Sequence, residues 1–423
     1  MPRVKAKIAL VLCPPFWTKT PPLALEYLRN YLKNQAEVDI FDLNSRLFKA
    51  LRLPAKEWLR LDKGFEDSLF AAVQKKAGAE IEDLVKKLAA YDYVGLSVFK
   101  RNLNFSLELA KKIKALSSRT TLIFGGPEVR EAKERLPRDS IKVDGEGELP
   151  LWRLANGDSA RHFSRDQIDD LDTLPFNDFA GYDLSLYKPV LPLLSSRGCI
   201  RRCSFCAECT LYSGFRQHSH RYTADQIERL VKRHAVTDFS FQDSLINADP
   251  AWLNDLCGEI LKRGLTITWE AQLMIREGMS DALLRLMKQA GCQNLFIGLE
   301  SGSDKTLRAM RKGFNASQAA RFLARLKKAG LRPEISIIAG YPGESEDDFA
   351  ETLGFIKDNK LAIAAIAQVS SFTLYKNSTL AERKDNGLLC DTTITKRMKK
   401  IARLIEKEKI RHKKAFINNL AYA

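Results

Sequence analysis

Short apolar runs alternate with amphipathic stretches twice in this chain, from Val4 to about Leu154 and again from Pro192 to about Asn377. No other feature restricts the fold as much. Two parallel strands need a crossover between them, so strands that alternate with helices predict parallel sheets covered by helices. The first stretch predicts strands at 8–12, 38–43, 94–99, 121–124 and about 141–143, helices at 23–33 and 106–116, and a helical insert over about 56–90. The second predicts strands at 192–196, 238–242, 266–271, 294–299, 334–338 and 364–372, with helices at 224–233, 251–262, 281–289, 316–328 and 346–358. The expected class is therefore α/β: a Rossmann-like sheet wound on both faces, then a partial (β/α)6 barrel of TIM type. Both architectures place ligands at the carboxyl ends of their strands. The boundaries read as 1–160 for the first domain, 161–188 for an ordered, aromatic-containing linker, 189–380 for the barrel and 381–423 for a basic helical extension.

Composition narrows the class further. The chain has 423 residues, 45% hydrophobic and 28% charged, as expected of a globular protein large enough for at least one sizeable core. No apolar run approaches the roughly 20 residues of a membrane span. The run Ile8-Ala9-Leu10-Val11-Leu12 is too short for a signal peptide, lacks a small-residue cleavage site after it, and reads as a first buried strand. The net charge of +16 raises the question of a nucleic-acid partner. Much of it lies in Lys396-Arg397-Met398-Lys399-Lys400 and in Lys407, Lys409, Arg411, Lys413 and Lys414, interleaved with Ile401, Leu404, Ile405 and Ile410 at helical spacing. That spacing favours a helix packed on the body with a solvated basic face. RNA, anionic lipid or an acidic partner stays open but is not favoured, as no recognisable nucleic-acid module accompanies the charge.

Three of the eight cysteines, Cys199, Cys203 and Cys206, stand in one C-x3-C-x2-C run just after the first strand of the second stretch. Three thiolates are one fewer than the four that fully ligate a [4Fe–4S] cluster, which leaves one iron open. Cys206 and Cys209 also form a C-x2-C pair, so zinc held with His218 or His220 is the alternative. The spacing, with Phe205 before the last cysteine, resembles the signature of the radical S-adenosylmethionine (SAM) superfamily. The resemblance implies that the open iron binds SAM and that one electron, from a donor such as flavodoxin or ferredoxin, cleaves it to a 5′-deoxyadenosyl radical. A reducing cytoplasm is the expected setting. Further along, Gly298-Leu299-Glu300-Ser301-Gly302 and Gly340-Tyr341-Pro342-Gly343-Glu344 resemble the family's SAM-binding blocks. By that resemblance Glu300 and Ser301 lie beside the SAM ribose or amino group, and backbone at Gly340, Tyr341 and Pro342 holds the adenine. Asp243, at the end of a predicted strand, is a candidate for SAM or substrate, or a cap for the turn. Cys209 and Arg216 are candidates for catalysis, with an inert thiol and a surface charge as the alternatives.

The first domain resembles the cobalamin-binding domain that precedes many radical SAM barrels. The matching features are Pro21–Leu28, Gly95-Leu96-Ser97, Gly125-Gly126-Pro127 and Gly145-Glu146-Gly147-Glu148. By resemblance Cys13, Pro14, Ser97, Gly125, Gly126 and Glu146 face cobalamin, with core packing the preferred reading of Cys13. One departure stands out: the cobalt-ligating Asp-x-His-x-x-Gly motif is missing, and the first histidine is His162. A domain that has lost its cofactor is the alternative. Together these resemblances imply cobalamin-assisted methylation of an unactivated centre on a small molecule or another substrate that the sequence does not identify. Radical rearrangement, oxidation or SAM side-chain transfer is the second expectation, and a non-catalytic metal-holding scaffold the third.

Overall fold

The computed structural model describes residues 5–52, 58, 63–206, 208–375, 378–381 and 387–412, the side chains of 63–67, 209 and 210 excepted. Ala6–Leu12 (β1) shows directly why the first apolar run is a strand, since Ile8 to Leu12 are all buried. A strand covered on both faces needs that continuous apolar run. Successive side chains point to opposite faces, and here they enter different cores. Ala9 and Val11 join Val94, Leu96 and Leu122 beneath helices Lys63–Leu88 and Leu103–Leu116. Ile8, Leu10 and Leu12 join Ile123, Ile141 and Val143 beneath helices Leu23–Leu32 and Glu148–Ala155.

With β2 (Ala36–Asp42), β3 (Tyr93–Ser97), β4 (Thr121–Gly125), β5 (Ile141–Asp144) and β6 (His162–Ser164), the sheet order is β2-β1-β3-β4-β5-β6. Every pair in it is parallel. Two differences from the sequence reading have physical causes. Strand β6 lies inside the stretch expected as a linker; at three residues, with only Phe163 buried, it is too short to show periodicity. The rest of that stretch packs on the first unit, which extends to Pro192. Arg29 of the first helix binds both the buried Glu26 (2.8 Å) and Asp178, and the amide of Asn30 donates to Glu26 (2.8 Å).

The second sheet runs β7-β10-β11-β12-β13-β14, the sequential order of a partial (β/α)6 arrangement. Its strands are β7 (Val190–Leu193), β10 (Asp238–Phe241), β11 (Thr268–Leu273), β12 (Cys292–Glu300), β13 (Arg332–Ala339) and β14 (Ala365–Ser371). The strand expected at 192–196 is divided. Residues after β7 leave the sheet, and β8 (Ser196–Arg197) pairs antiparallel with β9 (Arg216–Gln217). The intervening helices start where a polar side chain satisfies their first free amides. Ser219, Asp249, Ser280, Asn315 and Ser345 all serve this way, the last two as capping boxes. After β14, helix Asp391–Lys407 packs Met398, Ile401 and Ile405 inward. Its basic residues do not all face outward, since Arg397 is buried too. The chain then returns to the β14 edge, where Ile366 donates its N–H to Arg411 (2.8 Å). Lys413 and Lys414 lie outside the described residues. Among the described residues no helix is long and apolar enough to cross a membrane.

Candidate active site

The cysteine loop grows out of the β8–β9 ribbon at the start of the second unit. Gly198 precedes Cys199 at φ +82°, and a Cβ there would stand 2.1 Å from the carbonyl oxygen of Gly214. Only glycine allows the two arms of the loop to cross this closely. Arg216 sits opposite Arg197 in this ribbon, at the base of the loop. Cys199, Cys203 and Cys206 are all partly exposed. The backbone N–H of Arg201 points at Cys199 Sγ (3.4 Å), and that of Cys206 at the carbonyl of Cys203 (3.2 Å). A backbone donor aimed at sulfur suits a thiolate, and hydrogen bonds to sulfur tune iron–sulfur clusters. Three thiols on one loop are the donor chemistry of a [4Fe–4S] cluster with one open iron, although among the described residues no three His, Cys, Asp or Glu side chains converge closely enough to hold a single metal ion.

The middle of the loop is held by a residue that the sequence reading passed over. Ser204 is fully buried. Its N–H donates to the carbonyl of Met310 (3.1 Å) and its hydroxyl to that of Ala309 (3.0 Å), and its own carbonyl accepts from Leu380 (2.9 Å). Its hydroxyl also meets the Tyr341 hydroxyl at 2.8 Å. Tyr341, just past β13, is therefore a buried support behind the loop, and its ring meets that of Phe205 edge-on at 6.5 Å.

Asp243, read from the sequence as a contact for SAM or substrate or as a cap for the turn, faces into the protein. It is fully buried, and its carboxylate accepts from the Ser195 hydroxyl (2.7 Å), the Ser195 N–H (3.1 Å) and the Ser196 hydroxyl. Burial pushes its pKa up, against the pull of those hydrogen bonds. It holds the chain entering the cysteine loop, with both oxygens engaged inside the protein. Ser301 is likewise turned inward, between the Thr352 hydroxyl (3.0 Å) and the N–H of Ser303 (3.1 Å).

Glu300 is the carboxylate that keeps acceptor capacity. It ends β12 at φ +71°, beside a register shift in the β12–β13 pairing. One oxygen accepts from Ser336 (3.1 Å), while the other faces Lys312 Nζ at 3.7 Å, beyond hydrogen-bond distance. Burial raises its pKa and Lys312 opposes that shift. Lys312 also lies 5.8 Å from the centroid of Phe205, so the structure brings Glu300 and the cysteine loop together through one lysine. A carboxylate so placed suits an ammonium group that displaces the lysine.

His218, an alternative zinc ligand, is buried and stacks on Tyr222 at 4.1 Å. The Cys209 side chain lies outside the described residues.

In the first unit the strand order reverses direction at β1 and β3, the switch point where open α/β sheets bind ligands. Two buried asparagines, neither of them anticipated, organise the loops there. The Asn102 amide donates to the carbonyls of Cys13 (3.1 Å) and Ser97 (3.0 Å). Asn44 accepts from the N–H of Phe16 (2.7 Å) and the indole of Trp58 (2.8 Å). Pro14, Ser97, Gly125 and Gly126 stand at this edge, with Trp17 58% exposed beside them. Cys13 does not offer a thiolate: it is fully buried, and burial pushes its pKa up to about 12. Glu146 also turns inward, accepting from the N–H of Ile168 (3.3 Å). No histidine stands at the switch edge among the described residues, since His162 is on β6. The edge fits a corrin held by main chain and aromatic surface, without a cobalt ligand from this sheet.

Residues 193–356 match the family model of the radical SAM superfamily, and residues 16–155 match that of the B12 binding domain. An uncharacterized methyltransferase of Pyrococcus horikoshii is 25% identical over 393 residues, covering 86% of this chain and 78% of its own length. The bacteriochlorophyllide d C-12(1)-methyltransferase of Chlorobaculum tepidum is 28% identical over 192 residues, covering 44% of this chain and 41% of its own. Among solved structures, the radical SAM methyltransferase TsrM from Kitasatospora setae, with cobalamin and a [4Fe–4S] cluster bound, superposes with a TM-score of 0.70 at 17% identity. The match covers 89% of this chain and 77% of that one.

Proposed function

We propose that this chain, which carries a radical SAM domain and a B12-binding domain, is a cobalamin-dependent methyltransferase acting on an unactivated centre. The observation that carries the reading is the pairing of a three-thiol loop, after the first strand of one parallel sheet, with a corrin-type switch edge on the other. When bound, the cluster supplies the electron that cleaves SAM, and the corrin supplies a methyl carrier. The chain's own residues would do the positioning. Cys199, Cys203 and Cys206 would hold the cluster, with Ser204 fixing the loop between them. Glu300 would take the SAM ammonium in place of Lys312, and backbone at 340–342 would carry the adenine. A small electron-transfer protein such as flavodoxin or ferredoxin would deliver the electron, in a reducing cytoplasm.

The test is anaerobic reconstitution with iron, sulfide and hydroxocobalamin, followed by assays of bound corrinoid and SAM-derived products. One corrinoid per chain, with both 5′-deoxyadenosine and S-adenosylhomocysteine formed, is the expected result. A loaded cluster that forms 5′-deoxyadenosine without corrinoid or S-adenosylhomocysteine would replace methyl transfer with radical rearrangement or oxidation. Cys203→Ala should abolish cleavage of SAM under either chemistry.

A further inference from the structure

The segment that follows β13 is gripped from behind by the C-terminal helix. Arg397, 3% exposed, reaches this loop with its whole guanidinium. It donates to the Glu344 carboxylate (2.6 Å), to the carbonyls of Glu344 and Ser345 (3.2 Å each) and to the Glu346 carboxylate (2.9 Å), and it lies 5.1 Å from the Phe349 ring centroid. Glu344 passes the constraint inward, because its other contact is the N–H of Gly340 at 3.2 Å. Ile394 of the same helix packs on Gly340 so closely that a Cβ there would stand 2.6 Å from it.

Apolar contacts from Met398, Ile401 and Ile405 already dock the helix. A buried ion pair is a weak source of stability beside well-packed apolar residues, because both charges lose their hydration. A guanidinium spread over two carboxylates and two carbonyls contributes geometry, since its planar fork admits only a narrow range of acceptor positions.

We propose that Arg397 is a positioning residue for SAM, acting through Glu344 and the Gly340 N–H to fix the 340–342 segment, so that the C-terminal helix is part of the cofactor site. The proposal rests on the reading that this segment carries the adenine.

The experiment uses the anaerobic, cluster-loaded full chain. It measures the SAM dissociation constant by equilibrium dialysis with labelled SAM, hydrogen exchange over 338–345, and the KM and kcat of SAM cleavage. Arg397→Lys keeps the charge but loses the fork. It should weaken SAM binding about tenfold, the equivalent of one charged hydrogen bond, raise KM in parallel, leave kcat within about twofold, and speed exchange over 338–345. Glu344→Gln, which keeps the side-chain shape and an acceptor for Gly340, should weaken binding less and serves if Arg397→Lys loses its fold. Lys399→Ala, at an exposed position of the same helix, should change neither binding nor exchange. Unchanged SAM affinity in folded, loaded Arg397→Lys or Glu344→Gln would overturn the proposal while leaving the enzyme reading intact. Wild-type protein that binds no SAM would overturn both.

Discussion

Gly126 and Gly145 each follow the last residue of a strand of the first sheet and both have a positive φ, +104° and +125°, yet alanine should affect them very differently. A Cβ on Gly126 would stand 2.7 Å from the Val98 carbonyl oxygen and 3.0 Å from its nitrogen. Backbone cannot yield as a side-chain tip can, so the contact must open. Opening it strains two hydrogen bonds, Val98 N–H to Gly125 (2.7 Å) and Glu128 N–H to Val98 (3.2 Å). Each contributes about 1 kcal/mol net, and the forced backbone conformation adds about 1–3 kcal/mol. Gly126→Ala should therefore destabilise the first unit by about 3–5 kcal/mol. A Cβ on Gly145 meets nothing nearer than the Arg165 nitrogen at 3.8 Å, so Gly145→Ala keeps only the conformational term of about 1–3 kcal/mol. Hydrogen exchange read by mass spectrometry over 94–129 separates the two: Gly126→Ala should exchange faster there and Gly145→Ala as wild type. Equal exchange in the two variants would refute the argument that Gly126 exists for its approach to Val98.

Burial pushes the Glu344 carboxyl from its ordinary 4.5 up to about 7, against the pull of Arg397. A raised folded pKa gives stability that is complete below the unfolded value and lost as pH rises through the folded one. The thermal midpoint of the wild type should thus fall between pH 5 and 8 relative to Glu344→Gln, by the equivalent of up to about 3 kcal/mol; parallel curves would refute it. Cys390 is exposed, and hydrogen bonds from Thr392 and then Thr393 lower its pKa to about 7, whereas burial raises Cys13 and Cys257 to about 12. Brief iodoacetamide treatment of the cluster-loaded protein should alkylate Cys390 and spare Cys13 and Cys257, as peptide mass spectrometry would show. Asp243→Asn should loosen the cysteine loop and lower iron content, while Glu300→Gln should keep the iron and weaken SAM binding. The same defect in both variants would contradict the placement of these two carboxylates.

The sequence discloses what depends on local pattern. Parallel strands such as β1 show as continuous apolar runs, and Ser280, Asn315 and Ser345 mark helix starts. The cysteine triplet likewise shows as a local spacing, C-x3-C-x2-C. The sequence did not disclose β6, which is too short to be periodic, or the division of the expected 192–196 strand into β7 and the β8–β9 ribbon. It also hid the partners of buried polar groups. Ser204 and Tyr341 are 137 residues apart, and Arg397 is 53 from Glu344. Nothing in either local stretch marks such a pair, and Arg397 stands in a basic run that resembles a solvated face.

The residues whose role the sequence leaves open share one cause. At a strand end, backbone donors released from the sheet need acceptors, and so does a cationic or hydroxyl-bearing ligand. The same Asp, Glu and Ser residues serve both purposes at the same positions. Residue type cannot separate the roles, but the number of acceptor sites already filled can. Asp243 takes three donors, which leaves it little capacity for a ligand. Glu300 takes one hydroxyl and a single long ion pair, to Lys312 at 3.7 Å. Burying a carboxylate that is only partly satisfied is unfavourable, and in Glu300 that is combined with left-handed backbone in a non-glycine residue. Strain and unfilled acceptor capacity coincide at one side chain, within reach of Phe205 through Lys312. That combination, more than the Gly-Leu-Glu-Ser-Gly motif itself, makes Glu300 the strongest candidate in this chain for direct contact with SAM.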